Sequence, residues 1–149
     1  ENYFCPDDWG ANSGGGIYRI MNLVRNANKS VKIASFSFTH GGLADKLIKA
    51  DIKGLNVSVL IEKKQRNVQN SQYERLRDFG INVKVDGNKY NMHHKFAVID
   101  GKIVITGSPN HSSSGNNVND ENMLIIYNEN LALEFSKEFD KIFDKGEVV

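Results

Sequence analysis

Residues 92–110, MHHKFAVIDGKIVITGSPN, constrain the fold of this chain more than any other stretch. Two runs rich in β-branched and aromatic residues flank Asp100-Gly101. Such runs read as strands, and Asp-Gly between them is a two-residue hairpin signal. The spacing predicts strands over 92–99 and 102–106, with Gly107-Ser108-Pro109-Asn110 as the turn that follows. Side chains alternate along a strand, so His93 and Lys95 are expected on one face and His94 on the other. A hairpin sets the start of its first strand beside the end of its second. His93, Lys95, Ser108 and Asn110 are thereby expected to converge. An imidazole, an ammonium, a hydroxyl and an amide at one spot can hold a tetrahedral oxyanion and attack it. Asp100 differs in parity from His93 and lies at the far end of the hairpin. Its expected place is the turn, where Asp side chains bond nearby backbone N–H groups.

The chain before this hairpin alternates strand and helix patterns. Asn2 to Cys5 reads as an edge strand ended by Pro6, and 7–16 as a flexible loop. Its glycines lack the spacing and the Lys-Ser/Thr of a phosphate-cradling P-loop. Ile17, Ile20, Met21, Val24 and Ala27 share one helical face. A strand over 31–38, a turn over 39–42, a helix over 43–50 and a strand over 57–61 follow. A helix over 71–79, stopped by Gly80, leads to a strand over 81–85. Successive βα units predict parallel strands with right-handed crossovers. Beyond the hairpin come a strand over 123–127 and a helix over 131–143, with Leu131, Phe135, Phe139 and Phe143 spaced by four. The expected class is α/β: a mixed, largely parallel β-sheet flanked by helices on both faces.

At 149 residues the chain has the length of one domain. Lys plus Arg minus Asp plus Glu is 19 − 18 = +1. A nucleic-acid enzyme of this balance needs a local basic patch rather than a basic chain. Lys63, Lys64 and Arg66, just after a strand, are the candidates for phosphate-backbone contacts at a cleft rim; the competing reading is a solvated loop. Cys5 is alone, which excludes an internal disulfide and a cysteine metal site. No apolar run is long enough to span a bilayer. The chain starts at Glu1 rather than Met, which fits an exported protein freed of its signal peptide as well as a trimmed start. Among the other histidines, His40 reads as a turn residue, His94 as a packed or hydrogen-bonded core residue, and His111 as a candidate to line the cleft. No pair has metal-ligand spacing with carboxylate support, so no catalytic metal is expected.

The pattern His93-x-Lys95, four residues, Asp100, six residues, Gly107-Ser108-x-Asn110 resembles the HKD motif of the phospholipase D superfamily, complete at every signature position. Six fixed identities arise by chance in so short a chain roughly once in a hundred thousand cases. The runs Ser37-Phe38-Thr39 and Lys53-Gly54-Leu55-Asn56-Val57 follow the family's rhythm, and Asn119-x-Glu121-Asn122 matches its Asn-x-Glu-Asn. Glu62 departs from the Asp often found there. The resemblance implies a single phospholipase D-like domain over 1–149, with Asp100 and Gly107 in structural roles. It implies His93 as the nucleophile of a covalent phosphohistidine, Lys95, Ser108 and Asn110 around the phosphoryl oxygens, and Glu121 orienting the histidine. Members of this kind with one motif are small, metal-independent endonucleases that need no cofactor. They complete one active site at the two-fold axis of a homodimer. The partner so implied is nucleic acid, DNA ahead of RNA, without stable membrane insertion. The alternatives are a phospholipase or phosphatidyl transferase acting on lipid head groups, and a nucleic-acid-binding module of a larger protein.

Overall fold

The computed structural model describes residues 1–5, 7, 15–112 and 118–149; most of the expected loop over 7–16 lies outside them. Seven strands form one sheet: β1 (Asn2–Cys5), β2 (Ser30–Ser35), β3 (Asn56–Ile61), β4 (Asn82–Val85), β5 (Lys95–Ile99), β6 (Ile103–Gly107) and β7 (Glu121–Tyr127). Four helices accompany them: α1 (Gly16–Arg25), α2 (Gly41–Ile52), α3 (Tyr73–Asp78) and α4 (Glu129–Asp144). The spatial order is β1-β7-β6-β5-β2-β3-β4.

The two βα units pair β2, β3 and β4 in parallel, as their connections require. The sheet as a whole is less parallel than the alternation suggests. Four pairings, β1·β7, β7·β6, β6·β5 and β5·β2, are antiparallel. After β4 the chain returns to the other side of β2, where β5 runs antiparallel to it, and the tight β5–β6 turn makes the next pairing antiparallel too.

Alternation along the central strands feeds two cores. Ile33, Ala97 and Ile99 pack with Ile20, Val24, Leu43, Leu47 and Leu76, beneath α1, α2 and α3. Ala34, Phe96 and Val98 face the other way, against Ala132, Phe139 and Phe143 of α4. The Leu131-Phe135-Phe139-Phe143 stripe is therefore the underside of α4. Its N-terminus is capped by Asn128, whose Oδ1 accepts from the Leu131 N–H at 2.9 Å.

The return of the chain beside β2 creates a topological switch point. The C-terminal ends of β2, β3, β4 and β6 and the N-terminal ends of β5 and β7 all lie at one end of the sheet. In α/β sheets such an end, where the strand order reverses, is where ligands gather.

Candidate active site

His93 and Lys95 sit at this switch point. β5 begins only at Lys95, so His93 lies in an irregular lead-in rather than in the strand. The lead-in is nevertheless fixed: the Phe36 N–H donates to the His94 carbonyl at 2.9 Å. Lys95 lies beside Ser35, the last residue of β2. Its ammonium stands 3.2 Å from His93 Nδ1 and 3.3 Å from Nε2, and donates to the His93 carbonyl at 2.9 Å. The imidazole packs edge-on against the Phe36 ring, centroids 4.7 Å apart. Burial lowers the pKa of Lys95, and the charge of Glu121, at the start of β7, opposes that shift. The expected pairing of His93 with Lys95 is thus realised through a lead-in and one strand residue.

The other motif residues hold the frame. Phe96 pairs with Thr106, which continues to Lys95 beside Gly107. A Cβ on Gly107 would stand 2.1 Å from the Asn122 carbonyl, so only glycine lets β6 approach β7 here. Ser108 locks onto β7: its N–H donates to the Asn122 carbonyl at 2.9 Å, and its Oγ accepts from the Asn122 N–H at 3.0 Å. Accepting with its oxygen leaves the hydroxyl proton for donation. Asn110 follows in the turn. Its neighbour His111 ties this turn to the connection between β2 and α2, because the Thr39 and His40 N–H groups donate to the His111 carbonyl.

Several sequence expectations need correction. Asp100 does not serve its own turn. Its carboxylate accepts from the backbone N–H groups of Asn28, Lys29 and Ser30, at 2.7 to 3.1 Å, and so rivets the β5–β6 turn to the entry of β2. His111 does not line the cleft: it is 3% exposed. Its Nδ1 lies 2.8 Å from Ser35 Oγ, and its ring stacks on Phe38. Burial, reinforced by His40 and Lys95, holds its pKa down at about 4. His94 is not a core residue; it is half exposed, 3.6 Å from Glu138 of α4 and edge-on to Phe96. His40 caps α2, its Nδ1 accepting from the Leu43 N–H. Glu121, at the start of β7, reaches Lys95 through its charge.

The basic cluster is divided. Lys63 pairs with Glu147 at 2.9 Å, and Arg66 pairs with Glu74 while lying over the Tyr73 ring. Carboxylates thus already neutralise two of the three expected phosphate contacts. Lys64 points toward the site, donating to Asn91 Oδ1 at 3.0 Å.

Glu62 is the residue that sequence reasoning underrated. It is 2% exposed, and its Oε2 accepts from the Met92 N–H at 2.7 Å, immediately before His93. Its Oε1 accepts from the Lys64 N–H at 3.2 Å. One buried carboxylate therefore holds both the lead-in to His93 and the backbone of Lys64. The available signal was a carboxylate directly after an unbroken apolar strand, a place where a charge must have a structural partner. Nearby Asp86 is also buried, and desolvation, with help from Glu62, raises its pKa.

A cleft of about 630 Å³ runs past His93, between the 86–94 loop and α4. Asn88, Asn91 and His93 line one wall and Glu138, Lys141 and Lys145 the other. Among the described residues, no group of three or more His, Cys, Asp or Glu is placed to hold a metal ion, and no helix is long and apolar enough to cross a membrane.

Residues 20–143 match the family model described as cardiolipin synthase, phospholipase D-like domain. A mitochondrial cardiolipin hydrolase of Chlamydomonas reinhardtii is 30% identical over 86% of this chain, which spans 57% of that relative. The fold superposes on the phospholipase D family member Nuc of Salmonella typhimurium with a TM-score of 0.85, at 22% identity over 99% of this chain and 95% of that one. NucT of Helicobacter pylori gives 0.85 at 24% identity, covering 100% of this chain and 98% of that one. A family match across most of the chain, on a fold that carries His93, Lys95 and Asn110 at its switch point, makes this chain a member of the phospholipase D-like family.

Proposed function

We propose that this chain hydrolyses nucleic-acid phosphodiester bonds, without a metal ion, through a covalent phosphohistidine formed on His93. The imidazole attacks phosphorus, and the P–O bond to the leaving alcohol breaks. A second imidazole, His93 of another copy across a two-fold axis, gives that alcohol its proton. The same group then takes a proton from water, which attacks the phosphohistidine and frees the phosphate end and His93. Lys95, Ser108 and Asn110 meet the charge that develops on the non-bridging oxygens, and Glu121 balances the local positive charge. The observation that carries the choice of substrate is the cleft. It passes His93 with Lys145 on one wall, next to Lys141, which Glu138 pairs with at 3.0 Å, and with Lys64 behind the other. That arrangement suits a polymer bearing a charge on every unit.

A second reading rests on the relatives' name, mitochondrial cardiolipin hydrolase: hydrolysis at a lipid head group by the same chemistry. Incubation with plasmid DNA, RNA and cardiolipin-containing vesicles, each with excess EDTA, separates the two. The expected result is fragmented nucleic acid in EDTA, inhibition by vanadate and loss of all cleavage in His93→Ala. Vesicle hydrolysis with intact nucleic acid would establish the lipid reading, and activity lost to EDTA and restored by Mg²⁺ would overturn the mechanism.

A further inference from the structure

Tyr90 is 69% exposed, three residues before His93; Asn88 and Asn91 of its loop line the cleft, while Tyr90 and Lys89 line the adjoining hollow with Lys63 and Lys64. Three residues span at most about 11 Å between Cα atoms, so the backbone that carries the ring is no farther than that from the backbone of His93. An aromatic ring held out in water usually rests on a loop that can fold it away; this loop is pinned. Buried Asp86 accepts from the Asn88 N–H at 3.1 Å, and Asn88 Oδ1 accepts from the Tyr90 N–H at 3.1 Å. Lys64 holds Asn91, and Glu62 holds Met92. On the far side, a Cβ at Gly87 would stand 2.0 Å from the Lys145 carbonyl, so the loop is seated directly on the end of α4. The exposed Tyr90 ring is therefore carried on a backbone held on both sides of it. Lys89 Nζ lies 5.0 Å from its ring centroid, which marks the ring as a cation-bearing π surface.

We propose that Tyr90, flanked by Lys89 and Lys64, is a stacking platform for an unpaired base of the substrate strand. It would hold single-stranded nucleic acid in register with His93. This deepens the nuclease reading and rests on it. The chemistry is that of single-strand binding sites, where an aromatic face takes a base of any identity and neighbouring lysines take the backbone. A duplex keeps its bases stacked inside and cannot use the ring. The competing use of an exposed tyrosine is anchoring at a lipid surface. That needs contiguous apolar area, whereas the chain neighbours of Tyr90 are Asn88, Lys89 and Asn91.

The test compares wild type, Tyr90→Ala, Tyr90→Trp and, as a control, Tyr18→Ala, an exposed tyrosine of α1. Substrates are a labelled single-stranded oligonucleotide, its duplex and the small diester bis(p-nitrophenyl) phosphate, with binding to cardiolipin vesicles measured in parallel. Urea melts confirm that each variant is folded. Tyr90→Ala should lower kcat/KM for the single strand, relative to that for the small diester, by roughly five- to a hundredfold, mostly through KM. Tyr90→Trp should keep the ratio, and Tyr18→Ala should match wild type. A 2-aminopurine base in the strand should be quenched on binding wild type and not Tyr90→Ala. An unchanged ratio in Tyr90→Ala, or equal loss on duplex and single strand, would overturn the platform. Loss of vesicle binding with the ratio intact would assign the ring to a membrane and overturn it as well. Wild type that turns over the small diester and cuts no nucleic acid would instead overturn the nuclease reading beneath it.

Discussion

Glu62 joins two features that a sequence shows separately, the end of an apolar strand and the approach to His93. Removing its carboxylate leaves the buried Met92 N–H without an acceptor and frees the His93 lead-in. Glu62→Ala should destabilise the fold by about 2–4 kcal/mol, measured by urea denaturation. In the folded fraction kcat on a small diester should fall well beyond any rise in KM, because a misplaced nucleophile harms the reaction more than binding. Glu62→Gln keeps one acceptor oxygen and should recover part of kcat; equal losses in both variants would mean that the charge, not the geometry, matters. His111 carries a different signature. The folded state holds this imidazole neutral down to about pH 4, whereas the unfolded chain takes up a proton near its ordinary value of 6.5. Its contribution is therefore present above pH 6.5 and is lost as pH falls from 6.5 toward 4, about 3 kcal/mol in all. Unfolding free energies measured across that window should fall for wild type. They should fall less steeply for His111→Gln, which starts from a lower value at neutral pH.

The β5–β6 hairpin is the element on which the site depends, and Asp100 is what docks it. Three backbone N–H donors of residues 28–30 converge on this one carboxylate. Asp100→Ala should lose about 2–4 kcal/mol by urea denaturation, with turnover per folded molecule largely kept, since the bonds lie at the far end of the strands from His93. Asn tolerates the positive φ of 55° found here and should fall between the two. Such docking explains what could be read from the sequence and what could not. Local sequence pattern marked the seven strands and four α-helices of the described residues, though not the 3-10 turn at Lys63–Gln65, because apolar spacing follows directly from which face is buried. The motif spacing also predicted the Lys95–His93 contact, which is local. The direction of the sheet was not local: the βα alternation was read forward into parallel pairing, although the return of β5 to the free side of β2 makes most pairings antiparallel. His94, His111 and Asp100 were misplaced for the same reason. Their partners, Glu138, Ser35 and residues 28–30, lie 44 or more positions away and leave no trace in neighbouring spacing.

For the molecule as a whole, the proposed reaction needs two imidazoles, and each chain sets one, His93, against Lys95. A C2 pair places both copies of His93 on one phosphate. The active species should then run as a dimer of 2 × 16.7 = 33.4 kDa, lose activity on dilution below its dissociation constant and show a bell-shaped pH–rate profile belonging to the pair. Mixing wild type with His93→Ala chains under exchange should give activity that follows the square of the wild-type fraction; a linear dependence would place the second group within the same chain. The strand order has one more consequence, in time rather than in space. Ser35 pairs with Lys95 and Val31 with Ile99, partners sixty or more residues apart, whereas the β5–β6 hairpin closes across a two-residue turn. Hairpins form within microseconds, while closure of a long loop must first overcome its entropy. Glu62 and Phe36 stand on one side of that closure and His93 on the other. A chain diluted from denaturant should therefore regain strand circular dichroism before it regains turnover, and the lag between the two signals is the time β5 takes to find β2.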